Sequence, residues 1–224
     1  MTTIIYNAGK LFADSRVCQV TMHNGVPTPG EYLDTLKKIY EPQHLRMGGR
    51  KILALTVCGQ AGILELIKEL DALAAKDQQI FDLGDGTVPA ALMPHIQLET
   101  RIMMVTTHNV AVFSIGHGEA STQMFKLSSQ LAMGSGVDKL PSLINTVRKV
   151  SSEVAMADAM AVDCMTGGPV SLWQYGSIGV RQLDLKRTYS KLDRYVMSWV
   201  QLGVTIRDVF KLVKNVMKNK TVKP

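Results

Sequence analysis

Apolar positions along this chain follow two periods, one of strand type and one of helical type. TTIIY (2–6) and KLFAD (10–14) read as two short strands around the turn NAG, where Gly9 supplies the positive φ that such turns need. GVPTPG (25–30) marks a loop by its prolines and glycines, and LKKIY (36–40) a further short strand. KILALTV (51–57) is a continuous apolar run of strand length, as expected where a strand is buried on both faces. Behind it, CGQAGILELIKELDALAAK (58–76) places Ile63, Leu66, Ile67, Leu70 and Leu73 on one helical stripe, with Glu65, Lys68 and Glu69 off it.

DLGDGTVP (82–89) reads as a loop. TRIMMVTT (100–107) and NVAVFSI (109–115) read as a hairpin joined at His108–Asn109, GHGE (116–119) as the turn after it, and MFKLSSQLAM (124–133) as strand. Leu143, Ile144, Val147, Val150 and Val154 recur at helical spacing, which predicts one helix from near Pro141 to about Cys164. PVSLWQYG (169–176) and IGVRQL (178–183) give another hairpin. DLKRTYSKLDRYVMSWV (184–200) and TIRDVFKLVKNVMKNK (205–220) are helical, the second opening on a Thr205-x-x-Asp208 capping box. Strands in consecutive short-turn pairs, interrupted by helices, predict an α+β layer structure with antiparallel sheets.

Composition narrows the class. The 224 residues are 46% hydrophobic and 20% charged, which suits one globular core and not a disordered chain. No apolar run approaches the roughly 20 residues that span a bilayer, and the start lacks the basic region and apolar stretch of a secretory signal. A cytoplasmic protein without membrane partners is expected. Cys18, Cys58 and Cys164 form neither a disulfide framework nor a C-x-x-C pair and read as reduced thiols. The net charge of +6 is assigned to solvated helix faces after Arg181, since no aromatic-and-basic motif for nucleic acid accompanies it. His23, His44, His95, His108 and His117 match no metal-ligand spacing, and no metal or cofactor is expected.

The candidate chemistry begins at Thr2. A hydroxyl needs a base to become a nucleophile, and an amino-terminal threonine carries one on its own Cα, with a pKa of about 7.7–8.0. Removal of Met1 would expose that pair. Further along come ADSR (13–16), LKKI (36–39), VCGQAG (57–62), GSG (134–136) and DCMTGG (163–168). In this order, over most of the chain up to IGVRQL, the motifs resemble the proteasome β-subunit and the related bacterial two-tier ATP-dependent protease, both amino-terminal threonine hydrolases.

The resemblance implies an Ntn-hydrolase fold, a four-layer αββα sandwich of two antiparallel sheets, over 1–182, with 183–224 as a basic helical extension packed on the same domain. It makes Thr2 the nucleophile, with Lys38 lowering the pKa of the Thr2 hydroxyl and amine, Asp14 holding the lysine, and Ser135, Asp163 and Thr166 orienting the amine. The family's oxyanion glycine falls on Cys58, a departure from the pattern, with Gly59 next to it. Val17, Leu36, Tyr40, Thr56, Gln60 and Leu64 correspond to the pocket for the substrate side chain. The interval from Ser135 to Asp163 is shorter than the family's, which predicts that one of its two helices is reduced to a turn. Implied with the family are threonine endopeptidase activity, closed or stacked homo-oligomeric rings, polypeptide substrates and an ATP-dependent unfoldase. A non-catalytic proteasome-like subunit and an amino-terminal nucleophile amidase acting on small amides are the alternative readings.

Overall fold

The computed structural model describes residues 2–23, 26–77, 80–84, 93–96, 98–116, 119–140, 143–149, 151–163 and 165–185. The chain divides into two units, Met1–Leu185 and Lys186–Pro224, and the helices expected in the second lie outside the described residues. The first unit is α+β with two main sheets.

One sheet has five strands in the order β12–β1–β2–β13–β14. It is built from β1 (Thr3–Asn7), β2 (Lys10–Ala13), β12 (Gln130–Gly134), β13 (Val170–Gln174) and β14 (Arg181–Leu183). The other runs β11–β10–β9–β7–β6–β8, with β5 also on β7. Its strands are β5 (Ile39–Tyr40), β6 (Leu45–Met47), β7 (Arg50–Cys58), β8 (Phe81–Asp82), β9 (Thr100–Thr106), β10 (Asn109–Gly116) and β11 (Glu119–Lys126). A separate ribbon pairs β3 (Val17–His23) with β4 (Val26–Leu33).

Three apolar clusters stack these elements. Alternation in β1 sends Ile4 and Tyr6 to one face, where they meet Ala54, Cys58, Met103 and Val105 of the larger sheet. Ile5 points the other way, with Phe12, toward helices α3 (Leu143–Lys149) and α4 (Ser152–Val162). Helix α1 (Gly62–Lys76) covers the far face of the larger sheet through Ile63, Leu64 and Ile67 against Leu55, Val57 and Ile102. Fully burying each such side chain contributes about 1.5–3 kcal/mol, so this layering is where the apolar periodicity acts.

Several expectations change. The stripe of α1 is rotated: Leu66 and Leu70 are only partly buried and Leu73 is 49% exposed, while Leu64, Asp71 and Ala74 face inward with Ile63 and Ile67. The segment GVPTPG is not a loop but lies largely in β4, and LKKIY contributes only Ile39 and Tyr40 to strand. MFKLSSQLAM is split by a turn between β11 and β12. The single long helix is instead α3 and α4, separated where Ser151 caps the second by accepting from Val154 N. They follow the short α2 (Ser135–Lys139), and neither is reduced to a turn.

Candidate active site

The chain ends of several strands converge around the start of β1. Asp14 follows directly on β2, and both its side chain and Thr3 are fully buried, with Thr2 5% exposed. Asp14 Oδ1 accepts from Thr3 N at 2.9 Å and from Lys38 Nζ at 3.2 Å; Oδ2 accepts from Arg16 N at 3.2 Å and Gly167 N at 3.1 Å. Lys38 Nζ also donates to the Arg16 carbonyl oxygen. Lys38 therefore shares one carboxylate oxygen with the backbone N–H adjacent to Thr2. Burial pushes the Lys38 ammonium below the ordinary lysine range, opposed chiefly by Asp14. Burial likewise pushes the Asp14 carboxyl upward, against the pull of Lys38 and of the Gly167 and Thr3 N–H groups.

A second network runs on the helix side of β1. Ser135 Oγ and Thr166 Oγ1 each donate to Asp163 Oδ2 at 2.6 Å, and Met165 N donates to Oδ1 at 3.0 Å. Thr166 Oγ1 lies 2.6 Å from Thr3 Oγ1, which accepts from Gly136 N at 3.0 Å. Because Thr166 spends its proton on Asp163, Thr3 is the donor between the two hydroxyls. Ser135, Asp163 and Thr166 are thus brought together, tied to Thr3. Thr3 was missed by sequence reasoning, although alternation sends its side chain to the same face as Ile5, where these residues lie. The GSG glycines permit the approach. A Cβ on Gly134, whose φ is +99°, would fall 1.6 Å from the Thr2 carbonyl oxygen, and one on Gly136 2.2 Å from Thr3 Oγ1.

Cys58 closes β7 opposite Arg101 of β9, with its side chain in the layer between the sheets. Burial pushes its thiol up to about 11, so at neutral pH it is protonated. Gly59 follows at φ +109°, and Gln60 N donates to Thr100 Oγ1 at 3.3 Å, which pins the strand-to-helix turn on β9.

The residues expected around the substrate side chain are not equivalent. Val17 and Leu36 are half-buried and flank the Asp14–Arg16 segment, Leu36 N donating to the Ser15 carbonyl at 3.3 Å. Tyr40 is occupied by Asp71, to which its hydroxyl donates at 2.6 Å. Gln60 Nε2 donates to the His95 carbonyl at 2.9 Å. Leu64 is 1% exposed within the cluster under α1. Thr56 is fully buried, and its hydroxyl is the one buried side-chain polar atom among the described residues without a hydrogen-bond partner.

Among the described residues no helix is long and apolar enough to cross a membrane, and no group of three His, Cys, Asp or Glu side chains is gathered as a metal site. No protein-family model matches the chain, and no curated protein matches it. Among solved structures it is similar to a chain of the helical assembly of the Anbu complex from Pseudomonas aeruginosa. The match covers 100% of this chain and 97% of that one, at 12% sequence identity and a TM-score of 0.48. Likeness of that degree leaves the assignment of chemistry to the residues themselves.

Proposed function

We propose that this chain is an amino-terminal threonine hydrolase of the Ntn-hydrolase fold, a proteasome-like endopeptidase acting on polypeptides in the cytoplasm. The observation that carries the reading is the buried Asp14 carboxylate, which joins Lys38 Nζ to the N–H of the residue after Thr2. Three separate stretches of chain supply these groups, and a surface ion pair has no need of such burial.

In the proposed reaction Met1 has been removed and the free Thr2 amine takes the proton of the Thr2 hydroxyl. Oγ1 then attacks the substrate carbonyl, and N–H groups at Cys58 and Gly59 stabilise the oxyanion. Collapse of the intermediate breaks the C–N bond, the departing amine receives the proton, and an ester remains on Thr2. The Thr2 amine then takes a proton from the water that attacks the ester and returns it to Oγ1 as the ester C–O bond breaks, releasing the carboxylic acid and restoring the Thr2 hydroxyl. Lys38 keeps nearby proton affinities low by like-charge proximity. The Thr3–Thr166–Asp163–Ser135 network holds the start of β1 in one direction. Val17, Leu36, Tyr40, Thr56, Gln60 and Leu64 are the proposed surroundings of the substrate side chain. Closed or stacked rings of identical subunits, fed by an ATP-dependent unfoldase, would confine the sites.

A peptide epoxyketone tests this reading, because closing its ring needs a hydroxyl and a free α-amine on one residue. The expected adduct maps to Thr2 in protein lacking Met1, is absent in Thr2→Ala, and forms in Thr2→Ser with partial peptidase activity. An adduct on Cys58, or full activity in Thr2→Ala, overturns it. Electron microscopy separates a ring protease from an open amidase, and a ring without activity would be a structural subunit.

A further inference from the structure

Arg16 and Asp34 stand side by side at the open end of the β3–β4 ribbon, one residue before Val17 and one after Leu33, which face each other across it. The guanidinium grips the carboxylate with two parallel bonds, Nε to Oδ1 and Nη2 to Oδ2, each 2.7 Å. That fork-to-fork geometry fixes the orientation of both partners. Around it the backbone is stitched together: Ser15 Oγ donates to the Asp34 carbonyl at 3.0 Å, and Leu36 N to the Ser15 carbonyl at 3.3 Å. The Arg16 carbonyl receives the Lys38 ammonium. The guanidinium also lies against Gly167, where a Cβ would fall 2.5 Å from Cζ, and the Gly167 N–H is held by Asp14.

The two side chains are 25% and 38% exposed, a setting in which an ion pair adds little to stability. The consequence of the pair is geometric. We propose that Arg16 and Asp34 form a positioning clasp that closes the base of the β3–β4 ribbon and holds the Lys38 ammonium on Asp14, beside the start of β1. This rests on the reading of Lys38 as the activating group at Thr2. Neither residue of the clasp touches the reacting atoms. They act through the Arg16 carbonyl and through the short segment that runs from Asp34 to Lys38.

The charged or titratable groups that act on Lys38 are Asp14, Cys58 and Asp34, all raising its pKa, whereas burial lowers it and is the largest influence. Two explanations of the pair therefore differ in sign in Asp34→Asn, which decides between them, whereas loss of the Arg16 cation raises the Lys38 pKa on either and is read through acylation. Loss of the Asp34 charge alone moves the Lys38 pKa further down. Opening of the clasp admits water and moves it up, toward the ordinary lysine value.

The test follows Lys38 by 13C NMR in lysine-labelled protein, alongside the rate of Thr2 acylation, in wild type, Arg16→Gln, Asp34→Asn and Asp34→Glu. Expected are an upward shift of the Lys38 titration in Arg16→Gln and Asp34→Asn, and acylation slowed by about 10- to 100-fold with KM little changed. Asp34→Glu keeps the carboxylate and regains most of both. Where Arg16→Gln fails to fold, Arg16→Lys, which keeps the charge and loses the fork, is expected to shift in the same direction. A downward shift with unchanged acylation in Asp34→Asn, or no change in either variant, overturns the clasp. If Thr2 in the wild type forms no acyl-enzyme while the Lys38 titration still responds, the hydrolase reading fails and the clasp stands. If Thr2 acylates and Lys38 does not respond, the clasp alone fails.

Discussion

Lys38 donates to Asp14 at 3.2 Å with the two side chains 2% and 0% exposed, so the pair is sealed from water on the side of the fold where β1 begins. Desolvating two charges costs several kcal/mol for each, and their attraction offsets it only when the remaining polar sites are filled. Here most are filled: the carboxylate has three backbone N–H donors besides Lys38, and two of the three ammonium donors are taken by Asp14 and the Arg16 carbonyl. Such a pair is poor evidence for stability but a means of holding a lysine with a lowered pKa in one place.

Removing Lys38 strands the carboxylate. Lys38→Ala is expected to abolish peptidase activity and to cost roughly 3–5 kcal/mol in chemical denaturation at neutral pH. The pH dependence gives a sharper check. The folded pKa of Lys38 lies below the unfolded one, so between the two values the unfolded chain binds more protons, and stability rises with pH up to the ordinary lysine value near ~10.4. As the pH rises toward that ordinary lysine value, the wild type should gain stability relative to Lys38→Met, which has no proton to lose there. Parallel curves would mean that the ammonium is solvated.

Thr3 is the next test, because its hydroxyl both accepts from Gly136 N and donates to Thr166. Thr3→Val keeps the shape and deletes both bonds, leaving a buried N–H without an acceptor. A loss of about 1–3 kcal/mol is expected, with most of it restored in Thr3→Ser. Urea denaturation of the two variants decides the matter. Equal stability of Thr3→Val and wild type would remove the network as the support of β1.

What the sequence discloses of this arrangement follows the reach of its signals. Apolar runs mark β1, β2, β7 and the β9–β10 hairpin, because these strands are buried on both faces for most of their length, and helical spacing marks α1. Pro27 and Pro29 look like breakers, yet in a two-stranded ribbon each strand has an unpaired side on which a missing N–H costs no ladder bond. The apolar spacing runs unbroken across the gap between α3 and α4, and only the Ser151 cap ahead of Glu153 betrays the new start. Asp14, Lys38, Ser135, Asp163 and Thr166 are visible as short motifs in a particular order. Arg16 with Asp34, and Asp71 with Tyr40, join segments far apart in the chain, and no local spacing marks either pair.

Asp71 sits on the buried face of α1 and gathers three donors: Tyr40 Oη at 2.6 Å, Gln43 N at 3.0 Å and His44 N at 2.8 Å. It ties α1 to the chain that follows Lys38 and Ile39. Asp71→Ala is expected to cost at least about 1.5–3 kcal/mol, since hydrogen bonds to a carboxylate are among the stronger ones, and Tyr40→Phe about 1 kcal/mol. Thermal or urea unfolding of both variants checks the ranking. An Asp71→Ala variant no worse than Tyr40→Phe would mean that the two backbone donors find water at no cost.

Gly59 and Gly62, three residues apart, should respond oppositely to the same substitution. At Gly59 the backbone has φ +109°, and a Cβ would stand 2.4 Å from the Glu99 carbonyl oxygen and 2.9 Å from Thr100 Cα, both backbone atoms that have little freedom to move. Gly59→Ala must therefore shift the turn that carries the proposed oxyanion donors, and misplacing such a donor costs catalysis far more than binding. A fall in kcat of about 100-fold or more, with KM nearly unchanged, is expected. Gly62 opens α1 at an ordinary φ with open space around its Cα, so alanine there fits the helix and restricts the unfolded chain. Gly62→Ala should raise stability by about 0.4–1 kcal/mol and leave turnover intact. Steady-state kinetics and urea denaturation of the two variants give the answer, and normal turnover in Gly59→Ala would move the oxyanion site away from this turn.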